Sequence, residues 1–224
     1  MSWFSSVAIN PQKRAGRTLL GNRQEMHKAV MQAFPPGSVE QGEGRVLWRL
    51  DSDQHVHTLY VVSPIQPDFT HIVENAGWVS QTWNSVSYDG FLDSLAQGQH
   101  WGFRLQANPV KRQFVAGGRG KVLPHVTPEQ QVQWLADRAE NLGFALSPAD
   151  DGTLAVATTK REDLRFNRRD KNLAGRSKQV TIRNVQFDGN LQVTDVSALR
   201  ATLLTGIGKG KAYGCGLLTL RKLS

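Results

Sequence analysis

Three parts of this 224-residue chain can do chemistry: its six histidines, an arginine- and lysine-rich run, and a glycine-rich tail. The histidines are His27, His55, His57, His71, His100 and His125. An imidazole titrates near neutrality and serves as acid or base in the cytoplasm. His27 falls within a segment patterned as a helix. With Met26, Ala29, Val30 and Ala33 as its apolar stripe, His27 lies roughly 110° from the stripe centre at about 100° per residue. That is the helix flank, where a side chain can meet a ligand held by another part of the protein. Gln24 and Met31 share that side. Asp51-x-Asp53-x-His55-x-His57 has the composition of a metal site, and in one strand all four side chains would share a face. Ser52-Asp53-Gln54 reads as a hairpin turn, however, which breaks that face and favours a solvated turn. No G-x-S-x-G, H-E-x-x-H or paired-cysteine motif is present, so a serine hydrolase or zinc enzyme has no support.

The basic run is KREDLRFNRRDKNLAGRSK, residues 160–178. It carries Lys160, Arg161, Arg165, Arg168, Arg169, Lys171, Arg176 and Lys178 against three acidic residues. Guanidinium groups fork onto phosphates and stack on bases, and Phe166 is interleaved among them. The run reads as a long loop or the arms of a hairpin that touches nucleic acid. The tail, Gly206-Ile-Gly208-Lys-Gly210-Lys-Ala-Tyr-Gly214-Cys-Gly216, places five glycines in eleven residues between a helix and a last strand. Glycines let backbone amides approach a phosphate, and Lys209 and Lys211 add charge. The spacing matches neither a Walker loop nor G-x-G-x-x-G, so phosphate contact and a tight structural turn fit it equally.

These residues need a scaffold. Residues 2–9 predict a strand. Residues 22–34 predict a helix, with Asn22 as N-cap, Glu25 three residues on, and Pro35-Pro36-Gly37 as its stop. Residues 45–51 and 57–63 predict a hairpin. Residues 65–100 are poorly patterned, with a strand placed within 78–88. Residues 100–112 predict a strand ending near Asn108-Pro109. Residues 127–142 predict a helix with Thr127 as N-cap, Pro128 in its first turn and Gly143 after its end. Strand pieces follow at 153–158, 180–187 and 190–194. A helix capped by Asp195 runs through Thr205, and a strand over 214–222 closes the chain. Each half approximates the order β-α-β-β-α-β, the second half fitting better than the first, and this predicts an α+β chain of two tandem ferredoxin-like domains. The expected division is 1–95, carrying the His27 helix, and 98–224, basic.

Hydrophobic residues at 39% and charged residues at 21% fit a chain that folds around a core. No apolar run reaches the roughly 20 residues of a membrane helix, and no secretory signal is read at the start. The single cysteine, Cys215, excludes a disulfide framework and predicts a reducing, cytoplasmic setting. The charge is divided unevenly. Residues 1–100 hold 7 basic and 9 acidic side chains, and residues 101–224 hold 20 and 10. Such asymmetry marks a polyanion partner, nucleic acid ahead of a membrane surface.

Three segments resemble one family: the first helix, the strand Arg104-Leu-Gln-Ala-Asn-Pro-Val-Lys111, and the tail Gly206–Leu220. The approach to the last helix, Val185–Asp195, is also similar. The family is CasE, the CRISPR-associated endoribonucleases of the type I-E Cascade complex. The resemblance implies tandem ferredoxin-like domains and metal-independent cutting of precursor CRISPR RNA at the 3′ base of each repeat hairpin. The 2′-hydroxyl attacks the adjacent phosphate, leaving a 2′,3′-cyclic phosphate or 3′-phosphate and a 5′-hydroxyl. The product stays in Cascade, so the partners are repeat RNA and the other Cascade subunits, with no membrane and no cofactor or metal. The family's catalytic histidine matches His27. Some members carry a tyrosine three residues earlier, where this chain has Gln24, an amide able to donate a hydrogen bond but not to act as a phenol. Lys160 and Lys178 are candidates for stabilising the phosphoryl charge. Lys111, Arg112, Arg161, Arg165, Arg168, Arg169, Lys171, Arg176, Gly206, Gly208, Lys209, Gly210 and Lys211 are the expected RNA contacts. The alternative is a hairpin-binding subunit that does not cut.

Overall fold

The structure is a computed structural model and describes residues 1–39, 45–114, 118, 120–169 and 177–223. The first sheet is built from β1 (Trp3–Ile9), β2 (Leu47–Asp53), β3 (Val56–Ser63) and β4 (Asn84–Ser87), in the antiparallel order β2-β3-β1-β4. Helices α1 (Arg14–Gly21), α2 (Arg23–Met31) and α3 (Thr70–Ala76) supply its helical layer. With β1-α-β2-β3-α-β4 connectivity, this is the ferredoxin-like arrangement. Val7, Ile9, Met26, Val30, Trp48, Leu59, Phe69 and Ile72 fill the layer between sheet and helices.

The second unit repeats the plan. After α4 (Asp89–Asp93) come β5 (His100–Ala107), a short hairpin of β6 (Val110–Arg112) and β7 (Val122–Pro124), and α5 (Pro128–Ala139). Then follow β8 (Phe144–Leu146), β9 (Val156–Arg169), β10 (Ser177–Val193), α6 (Val196–Thr205) and β11 (Leu218–Lys222). The sheet order is β11-β5-β10-β8, with β9 also paired to β10. Leu105, Leu135, Phe144, Phe187, Leu191, Leu199 and Leu203 form its core, which Leu47 and Val62 of the first sheet join.

The predicted caps hold. The Asn22 side chain accepts from the backbone N–H of Gln24 at 2.9 Å and of Glu25 at 3.4 Å. Thr127 and Asp195 cap α5 and α6 in the same way. Gly143 lies at φ +85°, and a Cβ there would sit 2.4 Å from the Asp195 carbonyl oxygen, so only glycine fits.

Several expectations are corrected. The helix predicted over 22–34 spans Arg23–Met31, and α1, α3 and α4 were not anticipated. The turn between β2 and β3 is Gln54-His55, one residue later than Ser52-Asp53-Gln54, with Gln54 at φ +47°. The last strand starts at Leu218, because residues 211–213 form a 3-10 turn. The pieces read at 153–158 and 180–187 belong to a single long hairpin, β9–β10, whose arms hold most of the basic run.

Candidate RNA-cleavage site

Where α2 leaves its N-cap, it packs on two parts of the second unit: the 3-10 turn Lys211–Tyr213 and the strand β9. Both sequence signals therefore converge on the helix that carries His27. The anchoring is apolar. Phe166 and Ile182 of the hairpin bury with Cys215 of the glycine-rich tail, and the Phe166 and Tyr213 rings approach to 4.5 Å between centroids. Burial in this cluster pushes the Cys215 thiol up to about 12, so it stays a packed, inert thiol.

All five glycines of the tail have positive φ. At Gly214, φ is +82° and a Cβ would stand 2.6 Å from the Trp48 ring. This glycine lets the turn close over Trp48, which lies beneath α2 in the first core. Lys209 is exposed and Lys211 half-buried. Burial, and secondarily Arg45, holds the Lys211 ammonium below its ordinary range.

His27 is half-buried, and its Nδ1 is buried with no hydrogen-bond partner among the described residues. Burial disfavours the charged ring and holds the imidazole below its ordinary value. Nε2 is left as the nitrogen able to meet a substrate. Gln24 is half-buried in the first turn of the same helix.

The basic residues divide among three surfaces. Lys160, Arg161 and Arg165 are exposed on β9. Lys160 Nζ stands 3.5 Å from Glu162. Lys111 and Arg112 are exposed on β6, which follows the Asn108–Lys209 bridge and so begins beside the glycine-rich tail. Arg168 and Arg169 end β9, and Lys178 pairs in register with Arg168 across the hairpin. Lys171 and Arg176 lie outside the described residues.

Asp51, Asp53, His55 and His57 straddle the β2–β3 turn, and among the described residues no cluster suited to a metal appears. The Asp51 carboxylate is engaged by Arg49 at 2.6 Å and by Arg104 at 3.3 Å. Burial, then His55 and Lys160, holds His57 below its ordinary value.

Sequence reading missed Arg23 and Glu162. Arg23 is only 7% exposed, its Nη2 meets Glu162 at 3.4 Å, and its guanidinium lies over the Trp48 ring. The available signal was helical spacing, since Arg23 precedes His27 by four residues and shares its face.

A family model described as CRISPR associated protein matches residues 2–222. The chain is 32% identical over 220 residues to the CRISPR-associated endoribonuclease Cse3 of Thermus thermophilus, covering 97% of this chain and 99% of that protein. It is 29% identical over 130 residues to the Cascade subunit CasE of Escherichia coli, covering 54% and 57%. Among solved structures, Cse3 bound to a 19-nucleotide RNA superposes with a TM-score of 0.80 at 33% identity, covering 99% of both chains. Thermus thermophilus Cse3 bound to an RNA representing a pre-cleavage complex gives 0.79 at 31%, again covering 99% of both. A glycine-rich turn, a histidine helix and a basic hairpin meeting at one place, in a chain matched along almost its whole length, lead to one assignment: the protein belongs to the Cse3/CasE family of CRISPR-associated endoribonucleases.

Proposed function

We propose that this chain cuts precursor CRISPR RNA at the 3′ base of the repeat hairpin and keeps the product within Cascade. The observation that carries the reading is the position of His27: on a helix packed against both the glycine-rich turn and the basic hairpin, with one ring nitrogen buried and the other left for substrate. The full-length similarity to Cse3 and the CasE match support it. Residues 1–95 supply the catalytic helix, and residues 98–224 supply the RNA grip.

The reaction needs no metal, because its nucleophile is the RNA's own 2′-hydroxyl rather than water. His27, neutral at cytoplasmic pH, takes the 2′-proton at Nε2 as general base. The 2′-oxygen attacks the adjacent phosphorus, the bond to the 5′-oxygen breaks, and a 2′,3′-cyclic phosphate and a 5′-hydroxyl result. A depressed ammonium is a better proton donor, so Lys211, in the turn packed on α2, supplies the proton to the departing 5′-oxygen. Gln24 donates its amide N–H to a phosphate oxygen in place of a phenol. Lys160 and Lys178 add positive charge for the transition state. The stem lies along β9–β10 and the glycine-rich turn, held by Arg161, Arg165, Arg168, Arg169, Lys171 and Arg176 through phosphates.

The test is cleavage of an end-labelled repeat hairpin in EDTA, beside the same RNA with one 2′-deoxy substitution at the scissile nucleotide. One cut, lost in the deoxy RNA, is expected. Tight binding with no cut would make the chain a hairpin-binding subunit.

A further inference from the structure

One helical turn before His27, α2 borders a cleft of about 280 Å³ between the first unit and β9. One wall is apolar, formed by Leu20, Leu50, Leu164 and Phe166, and Ser52 and His57 line the cleft beside them. Its rim is basic, formed by the exposed Lys160 and Arg165. Its deepest charged groups are Arg23 and Glu162. Arg23 uses Nη2 for Glu162, while its Nη1 is buried without a hydrogen-bond partner among the described residues. Asn184 donates its amide N–H to the same Glu162 oxygen, Oε1, at 3.0 Å, and Lys160 stands 3.5 Å from the other.

These features select among ligands. A bare phosphate would meet the Glu162 carboxylate and gain nothing from the apolar wall. A nucleobase suits all three. Its flat body fits against apolar side chains, and its edge offers N–H groups to a carboxylate beside ring nitrogens or carbonyls for a guanidinium. The phosphate of the same nucleotide reaches the basic rim. The volume is near the lower end of the about 300–1,000 Å³ typical of small-molecule sites. We propose that this cleft holds one unpaired nucleobase of the RNA next to the cleaved phosphate, with Arg23 and Glu162 reading its edge. The inference rests on the endoribonuclease reading and adds to it a residue pair that sets specificity.

The test pairs altered RNA with altered protein. Repeat hairpins each carry one abasic site at an unpaired position within two nucleotides of the scissile phosphate. Single-turnover cleavage is measured with wild type, with Glu162→Gln, and with the double variant Arg23→Met/Glu162→Met, which leaves neither charge unpaired. At one position the abasic site should slow the wild type at least about tenfold, the worth of one good base contact. The double variant should cut the intact and abasic RNAs at equal rates, and Glu162→Gln should change which base is preferred there. Equal abasic losses in all three proteins would overturn the proposal. The same panel in uncleavable 2′-deoxy form, read as dissociation constants, gives the comparison by binding alone. A wild type that binds with base preference but never cuts would therefore refute the activity and keep the pocket.

Discussion

Arg49 of the first sheet donates from Nη1 to the backbone oxygen of Arg104 in the second, at 2.9 Å. The same nitrogen reaches the Leu217 oxygen at 3.2 Å and Thr219 Oγ1 at 2.8 Å, while Nε and Nη2 hold Asp51. Arg49 is 3% exposed, so this one guanidinium joins the two sheets from inside. Removing it leaves Asp51 with Arg104 alone among the described residues, at 3.3 Å, and withdraws the donor from the Arg104, Leu217 and Thr219 oxygens. Arg49→Met should therefore destabilise the protein by about 3–5 kcal/mol in urea unfolding. A loss below about 1 kcal/mol would mean that this guanidinium contributes little to joining the two units.

His27→Ala should lower the single-turnover cleavage rate by about 10²–10⁴-fold, the usual worth of a general base. Hairpin affinity should stay within about twofold, because no stem contact is assigned to this side chain. A proportional loss of binding would recast His27 as an RNA contact.

The pH profile carries a sign. Burial lowers the His27 pKa, and the neutral ring is the working form in the proposed base role. Activity should rise with pH along a limb whose midpoint lies below the ordinary value of about 6.5, and should be level by neutrality. A limb centred above pH 7 would contradict burial of the His27 ring as its cause.

Gly214→Ala forces a side chain into positive φ and against Trp48. The expected cost is about 1–3 kcal/mol of stability, the range of such backbone strain. Because the turn packs on α2, cleavage should fall with it. A melting temperature equal to wild type would show that the turn relaxes freely.

Arg161 is exposed on β9, and its proposed partner is a phosphate. Arg161→Ala should reduce the slope of log affinity against log salt by roughly one, and should weaken binding to all stems alike. An unchanged slope would remove Arg161 from the grip.

The sequence carried the caps of α2, α5 and α6, because Asn22, Thr127 and Asp195 act through local hydrogen bonds that spacing alone reveals. The second unit's order of elements followed from the same local signals, whereas the first unit's α3, between β3 and β4, did not. The β9–β10 hairpin was only half legible. Its arms are too polar to alternate clearly, and the face it buries is narrow, built around Phe166 and Ile182. Helices α1 and α3 escaped because their apolar positions follow glycine or a proline-rich stretch and mimic loops. The Arg23–Glu162 contact spans 139 residues, and no local pattern encodes a distance of that kind.

The strand β10 plays two roles along its length. From Val185 to Gln192 it is gripped by β5, whereas from Ser177 to Asn184, among the described residues, its strand partner is β9. Over this stretch the basic arm is thus a two-stranded ribbon built out from the sheet and seated on the glycine-rich tail through Phe166 and Ile182. Glu162 pairs in register with Asn184, the last residue before β5 takes hold. Arg23 therefore ties the arm, at the point where β5 lets go of it, to the helix that carries His27.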